Sequence, residues 1–260
     1  MSNQHILIHY HIFKNAGSSV DANLQHSFGH RWGTFEGSHA HDIQSSMQLS
    51  AFMAANPHLV AISSHLARPP LPHPDCLPVV FLRHPMLRAY SVYQYTRIDS
   101  TQPYSNIAQE LTFPSYIQWA LRKETGSIVI RDYQVVHLSN ASWRGGDILR
   151  TEADQFDFEQ ACHLLSDWGI VGIVEEFDLS ASVFQARHGK YLPNLDFIPR
   201  MENAITSVTT PVAERLDQLL RMLGCDLHDE FMAANRLDME LYRHGQALLH
   251  KAAKDSHLAS

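Results

Sequence analysis

The chain contains little cysteine and gives no sign of a disulfide framework. Its three cysteines, Cys76, Cys162 and Cys225, are odd in number and lie far apart along 260 residues. This pattern is typical of proteins from reducing compartments, so we expect a cytoplasmic protein.

Long apolar runs and an excess of basic residues are also lacking. No stretch reaches the roughly 18 apolar residues that a membrane-spanning helix needs, so we expect no membrane span. The apolar run over 5–13 predicts a core strand at the start, and we expect no cleaved leader. With 20 Lys and Arg against 27 Asp and Glu, the formal net charge is −7, which argues against a nucleic-acid partner.

Metal-binding motifs are missing from the sequence, although it contains 18 histidines. These are scattered along the chain without an HExxH motif or a His/Cys cluster at ligand spacing. The sequence therefore predicts no metal site.

What the chain does contain is an alternation of short apolar runs with segments of helical periodicity. Buried strands are predicted over 5–12, 58–63, 77–82 and 169–174. Helices are predicted over 18–28, 86–97, 113–123, 152–167, 180–188, 211–223 and about 226–254. This order predicts an α/β fold of three layers, with a central, mostly parallel sheet flanked by helices. The length fits a single domain over 1–260 with a helical C-terminal part at about 205–255.

The first predicted strand leads into a turn of small residues and then into a helix. Lys14 ends the strand, and the turn reads Asn15-Ala16-Gly17-Ser18-Ser19. Backbone N–H groups converge at such a turn and the helix dipole adds partial positive charge, so the turn is suited to bind a phosphate. In a Walker A loop the lysine follows the glycines, whereas Lys14 precedes Gly17. This order argues against ordinary hydrolysis of ATP or GTP with Mg²⁺.

A second motif begins where the third predicted strand ends. Arg83 stands at the strand tip, Pro85 opens a helix, and Ser91 lies about two turns into that helix. Arginine offers a forked charged contact and serine a hydroxyl donor, so the two side chains predict another anion site. Two anion sites at the ends of two strands indicate a nucleotide with phosphates at both ends of its ribose.

At these residues the chain resembles the PAPS-dependent sulfotransferases, especially the carbohydrate O-sulfotransferase branch with the uronyl 2-O enzymes. The first family signature is matched by His11-Ile-Phe-Lys14-Asn15-Ala16-Gly17-Ser18-Ser19 and the second by Phe81-Leu-Arg83-His84-Pro85-Met-Leu-Arg88-Ala-Tyr-Ser91-Val-Tyr93. Ser64-His65 stands where the family often has Gly-His, and Val171-Gly-Ile-Val-Glu175-Glu-Phe177-Asp178-Leu-Ser180 matches a later pattern. The resemblance covers about 5–185 and implies a P-loop-NTPase-like fold.

The resemblance implies transfer of a sulfuryl group from PAPS to a hydroxyl of a carbohydrate or glycan-like acceptor, with PAP as product and no metal. Lys14 would stabilise the charge that grows on the leaving phosphate oxygen. The 5′-phosphosulfate would be held by Lys14, Asn15, Ala16, Gly17, Ser18 and Ser19. The 3′-phosphate would be held by Arg83 and Ser91.

The acceptor hydroxyl needs a base, and His65 is the candidate because it lies at the carboxyl end of a predicted strand and imidazole titrates near neutral pH. The rival bases are His11, Glu36, His39, His41 and His84. The segments 29–57, 66–76 and 98–112 are expected to be loops that choose the acceptor.

The chain departs from the family pattern in three places. His84 replaces an acid or amide, and Val-Val-His137 follows Gln134 where the family often has Thr-Arg. Only Gly189-Lys190 hints at the Arg-Lys-Gly clamp of the small-molecule enzymes. Two alternatives therefore stay open: a P-loop-like kinase that uses ATP, and a module that binds PAP or a related nucleotide without catalysis.

Overall fold

The computed structural model describes residues 5–39, 42–122, 128–143, 152–198 and 210–258. Within these ranges five parallel strands form one sheet in the order β2-β3-β1-β4-β5. The strands are β1 (Ile6–Tyr10), β2 (Trp32–Thr34), β3 (Ala61–Ser64), β4 (Cys76–Leu82) and β5 (Gly172–Ile173). The predicted α/β class with a parallel central sheet flanked by helices is confirmed.

The central strand β1 forms because its residues suit a position in the sheet where both faces are buried. Leu7, Ile8 and Tyr10 have no exposed surface. Leu7 is paired with Ala61 of β3 on one side and with Leu77 of β4 on the other. A strand enclosed in this way reads as a continuous apolar run, which is why the sequence predicted it.

Helices account for most of the remaining described residues. They are α1 (Gly17–Phe28), α2 (Ser46–Ala55), α3 (Pro85–Ile98), α4 (Ser105–Glu110), α5 (Phe113–Leu121), α6 (Tyr133–Leu138), α7 (Gln155–Trp168), α8 (Phe177–His188), α9 (Val212–Leu223), α10 (Cys225–Ala234) and α11 (Arg236–Asp255). None of these described helices combines the length and the apolar character that crossing a membrane requires.

The prediction of one long C-terminal helix over about 226–254 is wrong, because the segment is divided at Asn235 into α10 and α11. The Asn235 amide donates to the carbonyl of Phe231 at 3.1 Å, and its Oδ1 accepts from the backbone N–H of Asp132 at 3.2 Å. A contact with a distant part of the chain therefore fixes the break, and the local periodicity does not reveal it.

The prediction of a loop over 29–57 is also wrong, since this segment contains β2 and α2. Helix α2 begins with a capping box in which the Ser45 hydroxyl accepts from the backbone of Gln48 and the Gln48 side chain accepts from the backbone of Ser45. The Ser-x-x-Gln signal for this helix start is present in the sequence. Segment 98–112 likewise contains the short helix α4.

The connections place a crevice at the carboxyl end of β1. After β1 the chain forms β2 and β3 on one side of it, and then crosses to form β4 and β5 on the other side. Neighbouring connections diverge where the order reverses, and ligands of open α/β sheets bind at this edge. The turn that follows β1 lies at this position.

Candidate functional site

The turn between β1 and α1 has the backbone geometry of an anion-binding nest. Lys14 and Ala16 have φ values of 65° and 60°, both in the left-handed region. Ala16 is also the N-cap of α1, and no side chain caps the helix. Left-handed and ordinary conformations in succession gather N–H groups into a concave surface, and an uncapped helix start adds further donors.

The Lys14 ammonium has no carboxylate partner among the described residues. Its Nζ lies 4.2 Å from the centre of the Tyr95 ring on α3. Burial, together with the nearby charge of Arg83, lowers the pKa of Lys14 to about 8. A cation destabilised by burial and by a second cation is stabilised when an anion binds beside it.

Arg83 fixes the same turn from the end of β4. Its Nη1 donates to the carbonyl oxygen of Lys14 at 3.0 Å, and its Nε lies 3.7 Å from Oε1 of Glu175. Burial lowers the pKa of Arg83 to about 10 and raises the pKa of Glu175, while each charge opposes the shift of the other. Since guanidinium has five N–H groups, Arg83 can hold the loop and still offer donors to a ligand.

Two polar residues of the second motif differ in exposure. Ser91 is half-buried on α3. Arg88 is fully enclosed and donates to the backbone carbonyls of Phe13 and Val129. Arg215 on α9, which the sequence did not single out, lies close enough for its charge to lower the pKa of Arg83.

His84 stands where the signature of the resembled family has an acid or amide, and it has a local structural role. It is the N-cap of α3, and its Nδ1 accepts from the backbone N–H of Met86 at 3.3 Å. An acid or amide at this position would cap a helix in the same way. Burial lowers the pKa of His84 to about 4, so the ring is neutral and can accept this hydrogen bond.

The hint of a basic clamp at Gly189-Lys190 is wrong. Lys190 lies over the ring of Tyr191, and that ring packs against His5 next to the amino end of β1. The turn with Lys14 follows the carboxyl end of the same strand. The two basic residues therefore lie at opposite edges of the sheet.

A buried glutamine joins the two sequence motifs. Oε1 of Gln134 accepts from Nδ2 of Asn15 at 2.7 Å and from the backbone N–H of Arg83 at 2.8 Å. Its Nε2 donates to the carbonyl of Arg83 at 3.0 Å and to Oδ2 of Asp238 at 3.2 Å. Gln134 has no exposed surface. Its amide thus holds the turn and the end of β4 in register, and sequence analysis missed this role.

His65 and Glu36 form an accessible pair at the end of β3. Nδ1 of His65 lies 3.0 Å from Oε1 of Glu36, and the same carboxylate accepts the backbone N–H of His65 at 3.0 and 3.2 Å. The His65 side chain is 45% exposed. A carboxylate at Nδ1 favours the tautomer with its proton on that nitrogen, which leaves Nε2 free to accept a proton.

His11 lies between this pair and the turn that joins β1 to α1. Its ring stacks on that of His65 with centroids 3.7 Å apart. On another side the His11 ring lies against Gly17, where an added Cβ would come within 1.8 Å of Nε2. The predicted base and the predicted donor loop are therefore separated by one imidazole ring.

Behind His11 lies a cluster that the sequence analysis missed. Nδ1 of His9 and Nδ1 of His11 lie 2.9 and 3.1 Å from the two oxygens of Asp21 on α1. Burial alone would raise the pKa of Asp21, but the two histidines hold it below its ordinary value. Burial lowers the pKa of His11 to about 4 despite the Asp21 carboxylate. The signal was the His-x-His alternation, which places both rings on one face of a strand.

Comparison with known proteins adds a relative but no function. No protein-family model matches the chain. A protein of Archaeoglobus fulgidus described as uncharacterized is 29% identical over 250 residues, which cover 92% of this chain and 95% of the relative. The similarity extends over nearly the whole length of both proteins.

Lys14, its turn, Arg83 and His65 lie at a single edge of the sheet in the described structure, while no contact connects Ser91 with them among the described residues. Lys14, Arg83 and the turn lie together, and His65 reaches them through His11. Of the rival bases, Glu36 pairs with His65 and His84 caps α3. His41 lies outside the described residues.

Gly17 permits the contact between the turn and His11, so we expect its replacement to be costly. In a Gly17→Ala variant the new methyl group would overlap the His11 ring, which packs between Gly17 and the stacked ring of His65. Overpacking of this kind lowers the free energy of unfolding by about 1–3 kcal/mol. Urea denaturation measures the loss. The exposed neighbour provides the control, because Ser18→Ala should change the unfolding free energy by less than about 0.5 kcal/mol. Equal stability of the two variants would contradict the described packing.

Proposed function

We propose that the protein is a sulfotransferase that moves a sulfuryl group from PAPS to a hydroxyl of a carbohydrate or glycan-like acceptor. The observation that carries the proposal is the Lys14 ammonium, which has no carboxylate partner among the described residues and lies in the turn before the uncapped start of α1, with Arg83 bound to the Lys14 carbonyl. Two cations beside the N–H groups of a helix start suit a ligand with several negative charges.

The proposed step is an in-line displacement at sulfur. The acceptor oxygen forms a bond to sulfur while the bond between sulfur and the bridging phosphate oxygen breaks, and PAP departs with the electron pair. Negative charge grows on that bridging oxygen, and the Lys14 ammonium is the group proposed to stabilise it. The acceptor proton passes to Nε2 of His65, whose Nδ1 is held by Glu36.

The two anchoring sites divide the nucleotide between them. The turn from Asn15 to Ser19 is proposed to receive the 5′-phosphosulfate. Arg83 and Ser91 are proposed to receive the 3′-phosphate, with Arg215 as an additional source of positive charge. Gln134 supports both sites because it bonds to Asn15 and to the backbone of Arg83.

The deciding experiment supplies ³⁵S-labelled PAPS together with a panel of glycans, glycolipids, small alcohols and phenols. Transfer of label to a hydroxyl acceptor without added metal is the expected result. A parallel assay with γ-³²P-ATP and Mg²⁺ tests the kinase alternative, and calorimetry with PAP tests the binding module. Phosphoryl transfer, or PAP binding without transfer to any acceptor, would overturn the proposal.

The pH dependence follows from the lowered pKa of Lys14. The ammonium is charged below its pKa of about 8 and loses its charge as the pH rises through that value. We therefore expect kcat/KM for PAPS to fall above about pH 8, because this ratio reports the free enzyme. Arginine stays charged throughout this range, so a Lys14→Arg variant should lack that decline at its own lower rate. A wild-type profile that stays flat to pH 10 would contradict the role of Lys14.

Removal of Arg83 is expected to weaken PAP binding. A charge-assisted hydrogen bond contributes about 1.5–3 kcal/mol, so Arg83→Ala should raise the Kd for PAP roughly 10- to 100-fold. Calorimetry measures this change. Arg187→Ala is the control, because Arg187 lies on the surface and forms an ion pair with Asp255 at 3.5 Å. Unchanged PAP affinity in a folded Arg83→Ala protein would remove Arg83 from the site.

A further inference from the structure

The cluster behind His11 has the composition of a metal site. Two imidazoles and a carboxylate, from His9, His11 and Asp21, offer one ligand atom each, and these atoms lie within 4.8 Å of one another. The nearest pairs are His9 Nδ1 with Asp21 Oδ1 at 2.9 Å and His11 Nδ1 with Asp21 Oδ2 at 3.1 Å. Ligands at about 2.0–2.1 Å from a tetrahedral ion stand about 3.4 Å apart, so small side-chain movements would complete the geometry.

His11 provides an independent sign that a ligand belongs here. The residue is 7% exposed, and its buried Nδ1 lies 3.1 Å from Asp21 Oδ2 without a hydrogen bond of ordinary geometry to any of the described residues. Buried polar atoms without a partner are rare in folded proteins, and each requires an explanation. An ion placed between His9, His11 and Asp21 would give this nitrogen its partner.

The surroundings also suit an ion that reaches the site from solvent. His9 is 1% exposed, but the Asp21 side chain is 20% exposed, so the cluster is open on the side of α1. The Ser63 hydroxyl lies 3.1 Å from His9 Nδ1 and accepts from Trp32 Nε1 at 3.0 Å. It is a neighbouring polar group that can orient the His9 ring or a water on the ion.

We infer that His9, His11 and Asp21 bind a divalent transition-metal ion of the Zn²⁺ class, with at least one position left for water. Imidazole nitrogen suits borderline ions such as Zn²⁺ and Co²⁺, whereas Mg²⁺ requires oxygen ligands. Three protein ligands with an open position are the arrangement of reactive zinc centres. This inference goes beyond sulfuryl transfer and does not depend on it.

The test uses the full chain, stripped with a chelator and titrated with Co²⁺ alone. We expect one equivalent to bind with visible absorption bands of four- or five-coordinate Co²⁺, and Zn²⁺ but not Mg²⁺ to displace it. In Asp21→Asn the Co²⁺ affinity should fall by at least about 100-fold, because changes outside the ligand shell already cost about 10- to 100-fold.

A matched control separates this site from surface binding. His163 and Asp167 form an exposed pair at 2.9 Å, and Asp167→Asn should leave the Co²⁺ titration unchanged. Circular dichroism verifies folding, and His11→Gln takes the place of Asp21→Asn if that variant does not fold. The inference is overturned if the wild-type protein gives no Co²⁺ bands, or if the folded ligand variant binds Co²⁺ as the wild type does. In that case Asp21 is only a carboxylate that pairs with two neighbouring histidines.

Discussion

Replacement of Lys14 by alanine is expected to lower kcat for sulfuryl transfer by about 10²- to 10³-fold, the loss typical of removing one group that stabilises transition-state charge. The ammonium lies at the turn after β1, close to Arg83 and without a carboxylate partner among the described residues. A charge that develops only as the sulfur–oxygen bond breaks would interact with it most strongly in the transition state. PAP affinity should therefore change much less than kcat.

The measurement compares single-turnover transfer from labelled PAPS with calorimetric PAP binding. Lys190→Ala is the matched control, since Lys190 also lies over a tyrosine ring, 5.0 Å from its centre, but at the opposite edge of the sheet. The control should keep wild-type kcat. Full activity in Lys14→Ala would show that another group carries the leaving-group charge.

The second large effect is expected at His65. If Nε2 of His65 accepts the acceptor proton, His65→Ala should lower kcat by about 10²- to 10⁴-fold with PAP binding intact. Glu36→Gln removes the charge that orients the ring, so it should lower kcat by a smaller factor and leave KM for PAPS unchanged. Rates with a fixed acceptor at saturating PAPS measure both effects.

His250→Ala is the control for this pair. His250 lies 2.6 Å from Glu176, and its side chain is 52% exposed, close to the 45% of His65. Loss of this histidine–carboxylate contact, which involves α11, should not change kcat. An unchanged rate in His65→Ala would transfer the role of base to another residue.

The parallel core of the sheet could be predicted because its strands are buried on both faces. The runs that form β1, β3 and β4 are mostly apolar and each gives a local signal, although the polar residues His9, Ser63 and Ser64 are buried among them. Strand β2 has only three residues, Trp32–Thr34, and is a strand because Trp32 pairs with Ala61 at the sheet edge. No local pattern records such a pairing.

At the site, too, features with a local sequence signal could be predicted, and features that depend on distant contacts could not. Lys14 with its turn and Arg83 with its helix are contiguous in the chain, so their chemistry is visible in short motifs. One side-chain partner of Asn15 is 119 residues away, at Gln134, and a partner of His65 is 29 residues away, at Glu36. Side chains so far apart in the sequence meet only after the strands have paired and the helices have packed on the sheet.

The sequence by itself determined that an apolar strand ends in a cationic turn and that a second cation follows a neighbouring strand. Both depend on local periodicity and on residues adjacent in the chain. Only the tertiary structure decided that Gln134 joins the two motifs, that Glu36 orients His65, and that Asp21 faces both His9 and His11. The physical reason is that a hydrogen bond or a metal ligand set depends on distance in space, which is fixed when strands from different parts of the chain pair and helices pack over them.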